Sequence, residues 1–408
     1  MCLCSDMTNL TLPTPSTYIK HFRLDPTVAY LNHGSFGASP IQVIEAQQRH
    51  RDLIEADAMQ FYINDLWPMV DRSREALGKL IHADPADIVF VSNATTATAT
   101  IINNIDLQKD DELLITNFEY LACVNNFRYV AQRVGAKIVT ADIPWVGISE
   151  DAIVEAVVSK VTKRTKLLLI SLITSETAIR MPVERIIREL KDLGVETLLD
   201  AAHGPACVPM DVDGWGAAYT TGNGHKWLCS SKGVAFLHVR RDLQDGFRPL
   251  VLSNGAYNLE EASAQTNRSP FCYEFDYMGT DDRTAVLSIA DSVACLESMM
   301  PGGIDALMKH NRALCFEARD MLCAMFGTEQ VVPDSLLGPL ATIDIPAPGM
   351  HPRALRQQLM ANHRIETMIV PSPVGDFPMV RLSPQMYNSM EQYQYLGESI
   401  LEEIGKKK

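Results

Sequence analysis

The chain has no apolar stretch of membrane-spanning length, which argues against a helical membrane span. It is short of positive charge: 36 Lys and Arg stand against 50 Asp and Glu, for a net charge of −14. No basic stripe interrupts that acidity, and this argues against nucleic-acid binding. The nine cysteines are odd in number and lack framework spacing. That pattern argues against a disulfide-stapled secreted domain and predicts a reducing, cytoplasmic setting. Cys2 and Cys4 are too few ligands for a metal site, and no metal is expected. The opening Met1-Cys2-Leu3-Cys4-Ser5-Asp6 lacks a charged region followed by an apolar core, so no signal peptide is expected. Residues 88–96 contain no glycine, whereas a nicotinamide-dependent oxidoreductase would need Gly-x-Gly-x-x-Gly after its first strand. Repeats and low-complexity segments are absent, and Lys406-Lys407-Lys408 reads as a solvated tail.

What is present is a chain of 408 residues, 47% of them apolar, enough for a large core in two or three domains. Its chemistry centres on Thr221-Gly222-Asn223-Gly224-His225-Lys226-Trp227-Leu228. The glycines permit a tight turn before His225. Trp227 and Leu228 would wall the Lys226 amine off from water, and burial lowers a lysine pKa, as imine formation requires. On its own the stretch fits equally well a lysine packed beside a turn. The upstream chain decides. Residues 166–174 and 195–202 are continuous apolar runs of the kind found in buried parallel strands. Between them, residues 182–193 have helical spacing and end at Gly194. Asp200 falls at the C-terminal end of the second strand, where α/β sheets place ligands. Residues 217–221 read as a third strand that delivers Lys226, 26 residues after Asp200.

The ordered set Leu31-Asn32-His33-Gly34-Ser35-Phe36-Gly37, Ser92-Asn93-Ala94-Thr95-Thr96, Asp200-Ala201-Ala202-His203, Gly222 to Leu228, Gly279-Thr280 and Arg381-Leu382-Ser383-Pro384 covers residues 30–385. It resembles the pyridoxal-phosphate enzymes of fold type I, class V aminotransferase family, and within them the isopenicillin N epimerase-like branch. The resemblance implies an α/β fold. A large domain at 30–275 would hold a mostly parallel, seven-stranded-type sheet flanked by helices. Residues 276–408 would form long helices and a smaller α+β domain, and 1–29 an arm packed on it.

The same resemblance implies roles. Lys226 would hold pyridoxal 5′-phosphate as an imine and, once freed by the substrate amine, act as base at Cα. Asp200 would pair with the pyridine nitrogen, and His203 would contact the ring oxygen or the substrate. Ala94, Thr95 and His225 would cradle the phosphate. The helix N-terminus that follows residues 88–92 is also a physical seat for an anion. Thr280 would reach the phosphate of a second subunit, which implies a homodimer with shared sites. Tyr120 would stack on the ring. His33, Gly34 and Ser35 would lie beside the substrate, and Arg381 would take its carboxylate by bidentate pairing.

One departure stands out. Related enzymes carry His-Thr/Val-Thr-Ser-Pro-Thr-Gly where this chain has Leu172-Ile173-Thr174-Ser175-Glu176-Thr177-Ala178, so Glu176 is an extra carboxylate near the cofactor edge. Residues 327–345 contain no cysteine, which disfavours a persulfide-forming desulfurase. The reading is therefore an enzyme that forms a Cα carbanion from an amino acid. C–S lysis by β-elimination is favoured. The alternatives are epimerisation and transaminase-like or carbanion-cyclising chemistry of secondary metabolism.

Smaller expectations complete the reading. Residues 30–40 form a loop, and residues 254–273 form a loop without periodicity. Helices run over 41–56, 67–81, 282–299 and 303–326. The C-terminal unit has strands at 340–345, 366–370 and 379–383, with helices at 353–363 and 389–404.

Overall fold

A computed structural model describes residues 11–406. Cys2, Cys4, the opening hexapeptide, Lys407 and Lys408 lie outside the described residues. Twelve strands are present in that range. They are β1 (Ala29–Tyr30), β2 (Ile88–Val91), β3 (Glu112–Thr116), β4 (Lys137–Ala141), β5 (Thr165–Ser171), β6 (Glu196–Asp200), β7 (Tyr219–Asn223), β8 (Ala235–Val239), β9 (Ala341–Asp344), β10 (Ile365–Glu366), β11 (Met368–Pro371) and β12 (Pro378–Leu382). Seven of them form one sheet in the order β2-β8-β7-β6-β5-β3-β4. Its pairs are parallel except those of β8, which runs antiparallel to both neighbours.

The strands β2, β5, β6 and β8 are largely apolar runs because both faces of the sheet are covered there. Ile88, Phe90, Leu168, Ile170, Leu199 and Phe236 face one core. Val89, Val91, Leu167, Leu169, Leu198 and Leu237 face the other. Alternation within each run follows from the two-residue period of a strand. The first core continues into the C-terminal sheet, β11-β12-β9, through Ala341, Ile343, Ile369, Val380 and Leu382.

Local signals set the helix ends. Asn93 caps the helix Ala94–Asn104 by accepting from the Thr96 amide. Ser389 and Gln392 form a capping box at Met390–Gly405. The helices Ile41–Ala56, Leu66–Ile81, Thr284–Met299 and Gly303–Phe326 lie within two residues of expectation.

Three segments differ from expectation. Residues 30–40 contain a single helical turn, His33–Phe36. The segment 254–273 folds as two short helices, Leu259–Gln265 and Pro270–Asp276. The run 366–370 is divided between two sheets: Ile365–Glu366 pairs in parallel with Ala29–Tyr30, and Met368–Pro371 pairs with β12. The first pairing ties the start of the chain to its C-terminal part, and a bridge between Asn32 and Ser383 continues it.

Candidate active site

Parallel strands converge at their C-terminal ends, and the largest group of functional side chains collects there. A cavity at the ends of β2, β3, β5, β6 and β7 is lined by Ala94, Thr95, Tyr120, Asp200, His203, His225 and Lys226. Gly34, Ser35 and Arg381 close its other side. β6 and β7 are neighbours, so Asp200 and Lys226 emerge side by side. Gly222 can be nothing larger, because a Cβ there would stand 2.7 Å from the Ala201 carbonyl oxygen and 2.5 Å from the Phe236 ring. Gly37, at φ +66°, carries the turn from His33–Phe36 against the lysine loop, and a Cβ on it would lie 2.0 Å from the His225 carbonyl oxygen.

Lys226 Nζ lies 3.2 Å from His203 Nε2. On the other side of that imidazole, the Trp227 indole N–H donates to Nδ1 at 3.0 Å. Burial is the main cause that brings the Lys226 amine down from 10.5 to about 8; Arg381 adds to it and Asp200 opposes it. Burial also raises the Asp200 carboxyl, against the opposing Ala202 amide and Lys226. Asp200 Oδ1 accepts from that amide at 2.9 Å, and Oδ2 meets the Cys123 thiol at 3.4 Å. His203 is pushed well below the usual histidine range by burial, with Lys226 and Arg381 reinforcing it.

Arg381 is buried and pairs with no carboxylate among the described residues. Its guanidinium donates instead to neutral oxygens: the Ser175 carbonyl at 2.5 Å, Ser35 Oγ at 3.0 Å and Asn32 Oδ1 at 3.2 Å. Its Nε is buried without a partner. Burial brings it down to about 10, and the Glu176 charge pulls the other way. Glu176 itself is exposed. An uncompensated buried cation at a cavity wall is a seat for an anion.

His33, expected beside the substrate, does not line this cavity. The side chain is fully buried behind the lysine loop. Its Nδ1 meets the Tyr387 hydroxyl at 2.8 Å, and its Nε2 lies 3.1 Å from the Lys226 carbonyl oxygen. It therefore braces the lysine backbone. The Ala94 amide is already taken by Asn223 Oδ1 at 3.0 Å, so Ala94 contributes its position rather than a free donor. Thr280 is exposed, lies outside this cavity and meets Tyr277 Oη at 3.3 Å.

Sequence reasoning did not single out Asn32, Asn223, Cys123, Ser171 or Glu119. Asn32 and Asn223 stood inside motifs that were read for their neighbours, and Glu119 directly precedes Tyr120. Cys123 and Ser171 carried no signal of their own, since only the strand register brings Ser171 beside Asp200.

The class-V aminotransferase family model matches residues 40–396. The chain belongs to the class-V aminotransferase family. The isopenicillin N epimerase of Streptomyces clavuligerus is 29% identical over 385 residues, covering 92% of this chain and 95% of that protein. A probable chloroplastic L-cysteine desulfhydrase of Arabidopsis thaliana is 28% identical over 405 residues, covering 92% and 83%. Among solved structures, the cystine C–S lyase C-DES, determined with glycine covalently linked to its PLP cofactor, superposes with a TM-score of 0.78 at 17% identity over 94% of this chain and 98% of that one. The fold is thus that of the fold type I enzymes, and the chain is a pyridoxal-phosphate-dependent enzyme.

The residues fit that cofactor. Lys226 offers an amine brought down to about 8, and the buried Asp200 offers a carboxylate oxygen with only a thiol against it. His225 Nδ1 is buried without a partner at the cavity wall. The start of the helix Ala94–Asn104 supplies amide dipoles.

Proposed function

We propose that this enzyme is a C–S lyase that cleaves the sulfur substituent from a cysteine-type amino acid. The observation that carries the reading is the pairing of Lys226 with His203. The cavity holds one amine able to gain and lose a proton near neutral pH, and beside it an imidazole occupied at Nδ1 by an indole N–H. One base that takes a proton and then returns it suits elimination.

The residues divide the work. Arg381, aligned by Ser35, Asn32 and the Ser175 carbonyl, binds the substrate carboxylate. Lys226 Nζ takes the proton from Cα and, as an ammonium, delivers one to the departing sulfur. Pyridoxal phosphate supplies the electron sink for the charge left at Cα. Asp200 would hold the proton on the ring nitrogen, Thr95 and His225 would hold the phosphate, and Tyr120 would stack on the ring. The desulfhydrase relative supports this reading.

A second reading is epimerisation. It is supported by the epimerase relative. Incubation with S-substituted cysteines in deuterated water separates the two. A lyase releases a keto acid and a thiol. Cα exchange that leaves the sulfur group attached would sink the lyase reading.

We also propose a homodimer. Thr280 is exposed away from its own cavity, and Leu250, Val251, Leu252 and Tyr257 form an exposed apolar stretch nearby in the chain. No helix among the described residues is long and apolar enough to cross a membrane. The seven described cysteines are all free thiols, which supports a reducing, cytoplasmic setting.

A further inference from the structure

We propose that Trp227 is a positioning residue that sets the proton on His203: its indole N–H fixes the imidazole as the Nε2–H tautomer, so that His203 presents a donor to the Lys226 amine and disfavours the ammonium form. The argument is one of valence. An indole nitrogen can only donate. Its 3.0 Å contact with His203 Nδ1 therefore requires Nδ1 to be an acceptor. A neutral imidazole has a single N–H, which must then sit on Nε2, and Nε2 is the atom 3.2 Å from Lys226 Nζ. An ammonium at that point would set N–H against N–H. A neutral amine instead offers its lone pair.

The arrangement is rigid. Trp227 is among the largest fully buried side chains, and its ring packs edge-on to both His203 and His33. Trp227 also follows Lys226 directly, so the residue that orients the imidazole moves with the lysine. His203 is left as a hydrogen-bond donor and not a base, and Lys226 is the base of the pair.

Other charged groups bear on the amine. Asp200 at the end of β6 favours its charged form, as do the thiols Cys123 and Cys207, whereas Arg381 on β12 opposes it. His203 in turn faces Lys226, Arg381, His33 and His225. A replacement at Trp227 that keeps the bicyclic shape removes the indole N–H and substitutes none of these charged groups.

This inference rests on Lys226 being the cofactor lysine only for its catalytic consequence. Borohydride fixation tests that reading separately, while the tautomer is read directly. The sample is the full chain stripped of cofactor, with 15N in the histidine rings, and His203→Gln assigns the His203 signals. At pH 7 the expected pattern is an unprotonated Nδ1 and a protonated Nε2. A protonated Nδ1 overturns the proposal.

The companion samples are Trp227→Phe and a chain with benzothienylalanine at position 227, which keeps the bicyclic shape but has sulfur in place of N–H. Both should convert His203 to a mixture of tautomers. They should raise the pH of half-maximal Lys226 labelling by acetic anhydride, followed by peptide mass spectrometry, by about one unit, or about tenfold in the unprotonated fraction. If the tautomer and the labelling profile stay unchanged in the benzothienylalanine chain, Trp227 merely fills space and the proposal falls. If Trp227→Phe fails to fold, the benzothienylalanine chain and the unsubstituted spectrum decide the matter.

Discussion

The Ser171 hydroxyl donates to Glu119 Oε2 at 2.7 Å, and the strand register sets Ser171 directly beside Asp200. Thr116 Oγ1 donates to the other oxygen of Glu119 at 2.6 Å. Burial raises Glu119 from 4.5 to about 8, with the Asp200 charge adding to the effect. The folded chain thus keeps a proton that the unfolded chain gives up near 4.5. Between about 4.5 and about 8 the folded state binds more protons, so rising pH erodes stability across that window. Glu119→Gln does not titrate. Its melting temperature should gain on that of the unsubstituted protein steadily over this range, and parallel Tm–pH curves would refute the assignment.

Lys226 gives a second pH signature with the opposite sense. Only the unprotonated amine attacks an aldehyde, and burial brings that amine to about 8. The rate at which the stripped protein regains covalent cofactor should climb with pH and level off above about 8. Stopped-flow absorbance checks this, and a midpoint near 10.5, the ordinary lysine value, would contradict it.

Arg381→Lys keeps the charge and removes the fork. The planar donor pair is lost, so substrate binding should weaken by about 1.5–3 kcal/mol, or about 10- to 150-fold in kcat/KM. Most of the effect should fall on KM. A variant with unchanged KM would mean that Arg381 does not meet the substrate carboxylate.

Thr280 tests assembly. Lys226→Ala and Thr280→Ala should each be inactive as pure dimers. Mixed by unfolding and refolding, half the dimers should be hybrids with one sound site of two, which restores about a quarter of full activity. No recovery, with hybrids verified by mass, would remove the shared site.

Much of this site could be read from the chain, for identifiable reasons. Asp200 ends an apolar run whose both-faces burial leaves a plain pattern, and glycines mark the turn that leads to Lys226. The burial of His33 was not legible, because a histidine in a glycine-containing loop looks alike whether it faces a cavity or a core. Tyr387, which holds its ring, is remote in sequence and comes close only in the fold. The helices Leu259–Gln265 and Pro270–Asp276 escaped because each is seven residues long, under two turns, and shows no period. The capping Ser269 before Pro270 was the one usable sign. The division at Thr367 was hidden because two adjoining strand segments read as one run.

The pairing of Ala29–Tyr30 with Ile365–Glu366 bears on how the protein is born. A chain emerging from the ribosome folds from its N-terminal side. The lysine, its aspartate and the phosphate seat are all translated before Arg381, and the segment Asn32–Ser35 that steadies Arg381 must wait for the last quarter of the message. On the proposed assignment, a chain folding from its N-terminal side would set its own cofactor-holding residues in place before Arg381 could meet a substrate.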